Sequence, residues 1–356
     1  MILKKCFLVF FLMQLIGFAY SQGNKGSIVI RHLNAPSLEN RAGENPVRRL
    51  TIYLPPNYDK SKDRYPVIYY LHGFGWNDSL LIAADHLDMV LDKAINEKKI
   101  RPVIVVMPDE RTLYGGSFYT NSSFTGNWAD FTSKNVVTYI DKHFRTIADR
   151  DSRGISGHSM GGHGAIKAGM FFPSVFSSVY AFSPAVLGFA AEFDAESIGL
   201  KQMQEIKSRD ALTSGKHFFA NVFVALGQAY SPNPSNPPFY CDLPFTYIGD
   251  SLVVKNKVLE LWKQNTPLYM VKNYAGSLKE LKALKFDWGR NDELAHIPIT
   301  CLQFSKTLES LGVTHYAEEY IGTHGSKILT DDGRALNEML PFFNSYLIFK
   351  STSKKK

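Results

Sequence analysis

The chain has 356 residues, of which 45% are hydrophobic and 21% are charged. These proportions are typical of a globular protein and exclude a largely disordered one. The formal net charge is +7, but five of these charges come from lysines within the first five and last three residues. The rest of the chain is therefore nearly neutral, which argues against a nucleic-acid-binding protein.

The N-terminus has the pattern of a signal peptide. Two lysines precede an apolar run over residues 6–19, and small residues follow just before Gln22. This pattern predicts cleavage after residue 21 and a secreted or periplasmic protein. An uncleaved anchor helix is less favoured because the run is shorter than the roughly 18–20 apolar residues that a span needs. No stable membrane span is expected after cleavage.

Cysteine usage gives little further information. Without Cys6, which lies in the predicted signal peptide, only Cys241 and Cys301 remain. Their spacing indicates neither a disulfide framework nor a metal site, and whether the two pair is left open.

Strand-like and helix-like segments alternate along much of the chain. Continuous apolar runs such as PVIYYLHG (66–73) and RPVIVVMPDE (101–110) are typical of strands buried on both faces. Segments 78–100 and 127–145 have helical periodicity. The alternation predicts an α/β fold with a mostly parallel central sheet and helices on both faces. Further strands are expected in RGISG (153–157), SSVYAFSPA (177–185), ELKALKFDWGRND (280–292) and THYAEEYIGTHGS (314–326).

The alternation fails between about 186 and 280. This stretch contains GQAYSPNPSNPPFYCDLPF, which is too rich in proline for a central strand. Its aromatic residues, Tyr230, Phe239, Tyr240 and Phe245, indicate that it packs on other parts of the protein. We therefore predict a single domain over residues 22–356, with a cap or lid inserted at about 186–280.

Ser159 lies in the motif Gly157-His158-Ser159-Met160-Gly161, between a predicted strand and a predicted helix. In that context G-x-S-x-G forms a nucleophile elbow, a tight turn that exposes the serine hydroxyl at the end of a sheet. The alternative is an ordinary glycine turn. The flanking strand and helix favour the nucleophile.

A serine nucleophile needs a histidine base and a carboxylate that orients it. In this architecture both follow the serine in sequence, in loops after later strands. His324 follows the last predicted strand and fits the position of the base. Asp287 and Asp292 are both candidates for the carboxylate. The remaining histidines fit less well. His158 and His163 are expected to pack beside the serine or to form the pocket wall. His315 is expected to face away from the site, and His296 is a weak rival base.

The reaction also needs backbone donors for an oxyanion. One is expected from the amide of Met160, directly after the nucleophile. The other is expected from the turn His72-Gly73-Phe74-Gly75 after the first buried strand, with Phe74 as the donor. An ordinary turn at a strand end is the alternative.

The segments YYLHGFG, GGSFYTNS, NWADF, GHSMGGHGAIKAG and FDWGRND together resemble the α/β-hydrolases of the esterase D family, over about residues 48–349. That group includes S-formylglutathione hydrolases, feruloyl and acetyl-xylan esterases, tributyrin-type esterases and antigen 85 mycolyltransferases. The resemblance implies the α/β-hydrolase fold. It also implies an acid in a G-x-x-D pattern, which favours Asp292 over Asp287. The long proline-rich insertion and the Gly325-Ser326 pair after His324 depart from the family and leave the substrate open.

The expected function is therefore that of a secreted serine esterase. Ser159, His324 and Asp292 would hydrolyse short-chain acyl, acetyl or feruloyl esters, including esters on carbohydrate, through an acyl-enzyme. No cofactor, metal or nucleic acid is expected to take part. Acyl transfer to a sugar or another alcohol is one alternative, and a non-catalytic glycan-binding module on the same fold is another. Peptidase activity is compatible with the fold but is not favoured by any feature of the sequence.

Overall fold

The computed structural model describes residues 24–350, so the predicted signal peptide and the last six residues lie outside the described residues. An eight-stranded sheet forms the centre of the protein, in the order β1-β2-β4-β3-β7-β8-β11-β12. The β1–β2 and β2–β4 pairs are antiparallel and the other pairs are parallel. Two small two-stranded sheets, β5–β6 and β9–β10, lie outside it. The strands are β1 (Ser27–Asn34), β2 (Val47–Leu54), β3 (Val67–Leu71), β4 (Ile104–Pro108), β5 (Asn121–Ser122), β6 (Gly126–Asn127), β7 (Arg153–His158), β8 (Ser178–Phe182), β9 (Phe245–Ile248), β10 (Ser251–Val254), β11 (Ala283–Gly289) and β12 (Tyr316–Tyr320).

Helices cover both faces of the central sheet, as the sequence predicts. The apolar run of β3 is continuous because both faces of this strand are buried. Val67, Tyr69 and Leu71 enter one hydrophobic core, while Ile68 and Tyr70 enter the other. Helices α4, α5, α10 and α11 contribute to the first core, and α2 and α12 to the second. The helices are α1 (Leu80–Ala83), α2 (Leu87–Asn96), α3 (Trp128–Asp130), α4 (Val137–His143), α5 (Met160–Phe171), α6 (Ile198–Gln202), α7 (Arg209–Thr213), α8 (Phe218–Tyr230), α9 (Asn256–Lys263), α10 (Pro267–Lys279), α11 (His296–Ser310) and α12 (Leu340–Tyr346).

Two segments predicted as single helices are interrupted. Within 78–100, His86 adopts a left-handed backbone conformation (φ 51°) and separates α1 from α2. Within 127–145, a π-helical segment, Phe131–Val136, joins α3 to α4. Apolar periodicity survives both interruptions, which explains why the sequence pattern did not reveal them. The first break is important for the site because it follows directly on Asp85, which lines the cavity described below.

The insertion between β8 and β11 contains helices α6 to α9 and the β9–β10 hairpin. Its proline-rich loop is packed rather than free, since Phe239, Cys241 and Leu243 are all buried. The last helix of the predicted cap range, α10, packs against α5 and α11 in the layer that flanks the sheet. Part of the range 186–280 therefore belongs to the helical layers of the main fold.

Within residues 24–350, the helices are all too short or too polar to cross a lipid bilayer. The described part of the chain also contains no group of three or more His, Cys, Asp or Glu side chains placed to hold a metal ion. Both cysteines that it includes, Cys241 and Cys301, are free and buried.

Candidate active site

Ser159 forms a sharp bend between β7 and α5. Its backbone has φ 58° and ψ −116°, a conformation that is strained for any residue other than glycine. Close packing explains the two flanking glycines. A Cβ on Gly161 would collide with the carbonyl oxygen of Leu71, and a Cβ on Gly157 would lie 2.6 Å from the backbone of Gly161. The sequence GHSMG therefore forms a tight strand-to-helix turn of the predicted kind.

Three predicted residues are joined by hydrogen bonds at one edge of the sheet. The Ser159 hydroxyl donates to Nε2 of His324 (2.9 Å), and Nδ1–H of His324 donates to Oδ2 of Asp292 (2.9 Å). The residues follow β7, β12 and β11, whose carboxyl ends meet at this edge because the strands are parallel. The Asp292 side chain is fully buried, whereas the His324 side chain is 17% exposed.

Neighbouring groups hold His324 in place. Nε2–H of His158 donates to the His324 carbonyl oxygen (2.8 Å), and the His324 amide donates to Oε2 of Glu293 (3.0 Å). Burial lowers the pKa of His158 to about 3, so this ring is neutral at physiological pH. The hydrogen bond from the His324 amide lowers the pKa of Glu293. Oδ1 of Asp292 accepts from the Leu294 amide (2.9 Å), which fixes the carboxylate. His158 lines the cavity beside Ser159, as one of its two predicted roles requires, whereas its bond to His324 and the contribution of Glu293 were not predicted from the sequence.

Asp287 lies in a separate network. It is buried within β11 and accepts hydrogen bonds from the Tyr180 hydroxyl (2.5 Å) and from Nε of Arg334 (2.7 Å). Arg334 also forms an ion pair with Glu318 on β12 (2.7 Å). Burial raises the pKa of Asp287 to about 6, against the opposing effect of Arg334. No contact joins Asp287 to His324, so Asp292 is the carboxylate placed to orient that histidine.

The other histidines considered from the sequence, His163, His296 and His315, make no hydrogen bond to Ser159. They bond instead to Tyr230 (3.1 Å), Glu192 (2.7 Å) and Ser305 (2.8 Å), in that order. The Ser305–His315 pair lies at the opposite end of the sheet, at the start of β12. Ser305 lies within α11 rather than at a strand-to-helix bend, which makes this pair a useful comparison for Ser159.

The two predicted oxyanion donors lie on either side of Ser159. Met160 is the first residue of α5, where backbone N–H groups have no partner within the helix. Phe74 follows Gly73, whose backbone packs so closely on the nucleophile turn that a Cβ there would be 3.7 Å from the Ser159 Cβ. Both residues are therefore adjacent to the nucleophile.

A cavity of about 410 Å³ opens beside Ser159 and His324. Its wall is mostly apolar, and two exposed aromatic side chains, Trp76 and Phe218, border it. Phe218 begins α8 and comes from the insertion. The four aromatic residues of the proline-rich stretch do not line this cavity, although Phe239 and Phe245 line a separate one of about 340 Å³. The residues that complete the wall beside Ser159 are Tyr70, Gly73, Phe74, Leu81, Asp85, His158, Glu293, Leu294, His324, Gly325, Ile328 and Leu329.

Comparison with known proteins places the chain in a family. The family model described as "Putative esterase" matches residues 45–328, which is most of the chain. The chain belongs to this Esterase family. Among the curated proteins, the family relatives include an esterase of Mycobacterium tuberculosis (strain H37Rv), 36% identical over 176 residues, or 45% of this chain and 35% of that protein. Another is an endo-1,4-beta-xylanase/feruloyl esterase of Xylanibacter ruminicola, 35% identical over 123 residues, or 31% of this chain and 16% of that protein. The chain thus spans well under two thirds of the length of these relatives.

The fold also matches solved structures of Esterase-type proteins. A ferulic acid esterase superposes with a TM-score of 0.60 at 22% identity, covering 91% of this chain and 99% of that one. Identity at this level shows a shared fold. Together with the sheet order and the turn at Ser159, it confirms the predicted α/β-hydrolase fold, and the family match confirms the predicted resemblance.

Proposed function

We propose that this protein is a serine esterase that hydrolyses carboxylic esters through an acyl-enzyme on Ser159. The observation that carries the proposal is the unbroken hydrogen-bond chain from Asp292 through His324 to Ser159, at the wall of an apolar cavity. Membership of the Esterase family supports the same reaction class. A serine hydroxyl is unreactive by itself near neutral pH, and this arrangement supplies the base that it needs.

In the first half of the reaction, the Ser159 oxygen attacks the ester carbonyl carbon while Nε2 of His324 takes the hydroxyl proton. Asp292 stabilises the imidazolium through Nδ1–H. The amides of Phe74 and Met160 donate to the oxyanion of the tetrahedral intermediate. When that intermediate collapses, the bond to the alcohol oxygen breaks, and His324 returns its proton to the leaving alcohol.

In the second half, a water molecule attacks the acyl group and His324 takes its proton. Collapse of the second tetrahedral intermediate breaks the acyl–oxygen bond to Ser159, and His324 reprotonates the serine. The carboxylic acid is then released. Every proton moves through one imidazole, which is why the orientation of His324 by its four hydrogen-bond partners is important.

The apolar cavity wall with aromatic residues at its border supports short-chain acyl, acetyl and feruloyl esters as substrates, including esters carried on carbohydrate. The name of the Xylanibacter relative, which includes feruloyl esterase, supports the same class. We further propose that residues 1–21 direct export to the periplasm or the medium, on the strength of their charged and apolar pattern. We also propose that the insertion before α10 serves as a cap, because its residue Phe218 borders the cavity.

The proposal is tested with 4-nitrophenyl acetate and butyrate, methyl ferulate and acetylated sugars. We expect turnover by the native protein and a loss of at least about 10³-fold in kcat for Ser159→Ala, since truncation removes the nucleophile. Ser305→Ala is the matched control, because it removes the hydroxyl of the other serine–histidine pair. Ester cleavage that persists in Ser159→Ala would refute the proposal. An added sugar acceptor measures how far the acyl-enzyme partitions to transfer rather than hydrolysis.

A further inference from the structure

One wall of the cavity beside Ser159 carries a buried polar group that has no partner. Tyr70 on β3 is fully buried, yet its hydroxyl makes no hydrogen bond within the described part of the chain. Burial without a partner costs free energy comparable to a lost hydrogen bond, and such groups are few in folded proteins. Because Tyr70 lines the cavity, a molecule bound there is the candidate partner for its hydroxyl.

Asp85 lies on the same wall and has an unused acceptor. Its Oδ2 accepts from Nε1–H of Trp76 (3.0 Å), while its Oδ1 accepts no hydrogen bond from residues 24–350. Asp85 directly precedes His86, the residue at which the chain breaks between α1 and α2. Partial burial raises the pKa of Asp85, while the hydrogen bond from Trp76 opposes this effect. Tyr70 therefore offers a donor and Asp85 an acceptor, the two functions that a single hydroxyl group can satisfy.

The charged groups of the cavity also favour a neutral hydroxyl over a carboxylate. Two carboxylates, Asp85 and Glu293, line it, and its lining residues include no lysine or arginine. A carboxylate on the substrate would meet like charges there without a counter-ion. A neutral hydroxyl would meet complementary groups, with the rings of Trp76 and Phe218 next to the apolar part of the molecule.

We propose that Tyr70 and Asp85 bind a hydroxyl group of the ester substrate, and that Asp85 and Glu293 select against substrates that carry a carboxylate at that position. This inference rests on the proposed esterase function and names the substrate chemistry of the same site. The hydroxyl can belong to the acyl group or to the alcohol, and the experiment separates the two.

The acyl arm compares the methyl esters of cinnamate, 4-hydroxycinnamate and 4-carboxycinnamate at pH 8. The alcohol arm compares acetylated glucose with acetylated glucuronate. One of the two arms uses the part of the substrate that contacts Tyr70 and Asp85. In that arm we expect kcat/KM for the carboxylated ester to be at least about tenfold below kcat/KM for the hydroxylated ester, because like charges repel at close range. Asp85→Asn should narrow this gap, since the amide keeps an acceptor for Trp76 but has no charge.

Tyr70→Phe tests the donor. In the same arm it should raise KM for the hydroxylated ester about three- to tenfold and leave the unsubstituted ester unchanged. Two matched controls are available. Tyr69 also has a buried, unpartnered hydroxyl but does not line the cavity, so Tyr69→Phe should have no such effect. Asp88→Asn removes a carboxylate from the first turn of α2, outside the cavity, and should leave the gap intact.

The outcomes are distinguishable. If both arms show equal rates for carboxylated and hydroxylated esters, or if Asp85→Asn leaves the gap unchanged, the inference is wrong while the esterase function stands. If the native protein cleaves neither these esters nor 4-nitrophenyl acetate, the esterase proposal itself fails, and this inference fails with it.

Discussion

Two aspartates five residues apart, Asp287 and Asp292, have different environments. Asp292 accepts from the histidine that contacts Ser159, whereas Asp287 lies between Tyr180 and Arg334 inside the core. On the proposed mechanism, this difference assigns Asp292 to the reaction and Asp287 to the stability of the fold.

We predict that Asp292→Asn lowers kcat by about 10³- to 10⁴-fold, because an amide does not hold His324 in the tautomer that accepts the serine proton. Asp287→Asn should leave kcat of the folded protein within a few-fold of the native value, and it should lower the melting temperature by disturbing the pair with Arg334. Steady-state kinetics and thermal unfolding of both variants check the prediction. A larger loss of kcat in Asp287→Asn would reverse the two roles.

At the scale of single residues, the sequence predicted which side chains meet at the candidate site better than it predicted their surroundings. Ser159 and His324 could be placed because a motif and a strand end locate them. The choice between Asp287 and Asp292 could not be made from periodicity, because both follow the same apolar run and only the pleat of β11 directs Asp287 away from the site. No sequence pattern indicated a role for Tyr70 or Asp85, because an unpartnered hydroxyl and a helix break become visible only in three dimensions.

At the scale of elements, the bend between β7 and α5 depends on the absence of side chains. We predict that Gly161→Ala strongly destabilises the protein, because the new methyl group would overlap the Leu71 carbonyl oxygen of β3, and backbone there has little room to move. Gly276→Ala is the matched control. Gly276 lies within α10 with open space around its Cα, so alanine should stabilise the protein by about 0.5–1 kcal/mol.

Urea unfolding measures both glycine variants. A Gly161→Ala protein as stable as the native one would mean that the bend is looser than the contacts indicate. The strands β3, β4 and β8 are buried over their whole length, and they were readily predicted from the sequence because all their residues except Ser178 are apolar or aromatic. The interruptions at His86 and at Phe131–Val136 were not, because they alter the backbone without disturbing the apolar periodicity.

At the scale of the whole molecule, a buried lysine connects the helical layer to the insertion. Lys167 on α5 is almost fully buried, and its ammonium donates to Oγ1 of Thr120 (2.7 Å) and to the carbonyl oxygen of Asn265 (3.2 Å). Burial lowers its pKa to about 7. Between pH 7 and about 10, the folded protein therefore binds fewer protons at this site than the unfolded chain, so stability rises with pH across that window.

We predict that the free energy of unfolding of the native protein, relative to Lys167→Met, increases by about 1 kcal/mol per pH unit from pH 7 to 9. Urea unfolding at pH 7, 8 and 9 measures this difference. Lys142→Met, at an exposed position of α4, is the control and should show no such trend. A constant difference for Lys167→Met across these pH values would mean that the ammonium is better solvated than its burial indicates.

The outermost strand of the sheet, β12, delivers His324, while Ser159 is held at the sheet centre. Several β12 residues face solvent, and within residues 24–350 only β11 pairs with it in the central sheet. Fraying of this edge strand would move the His324 imidazole away from the Ser159 hydroxyl and leave the rest of the fold intact. On the proposed mechanism the protein would then be folded but inactive, so turnover would report the integrity of this edge strand more sensitively than any bulk spectroscopic signature.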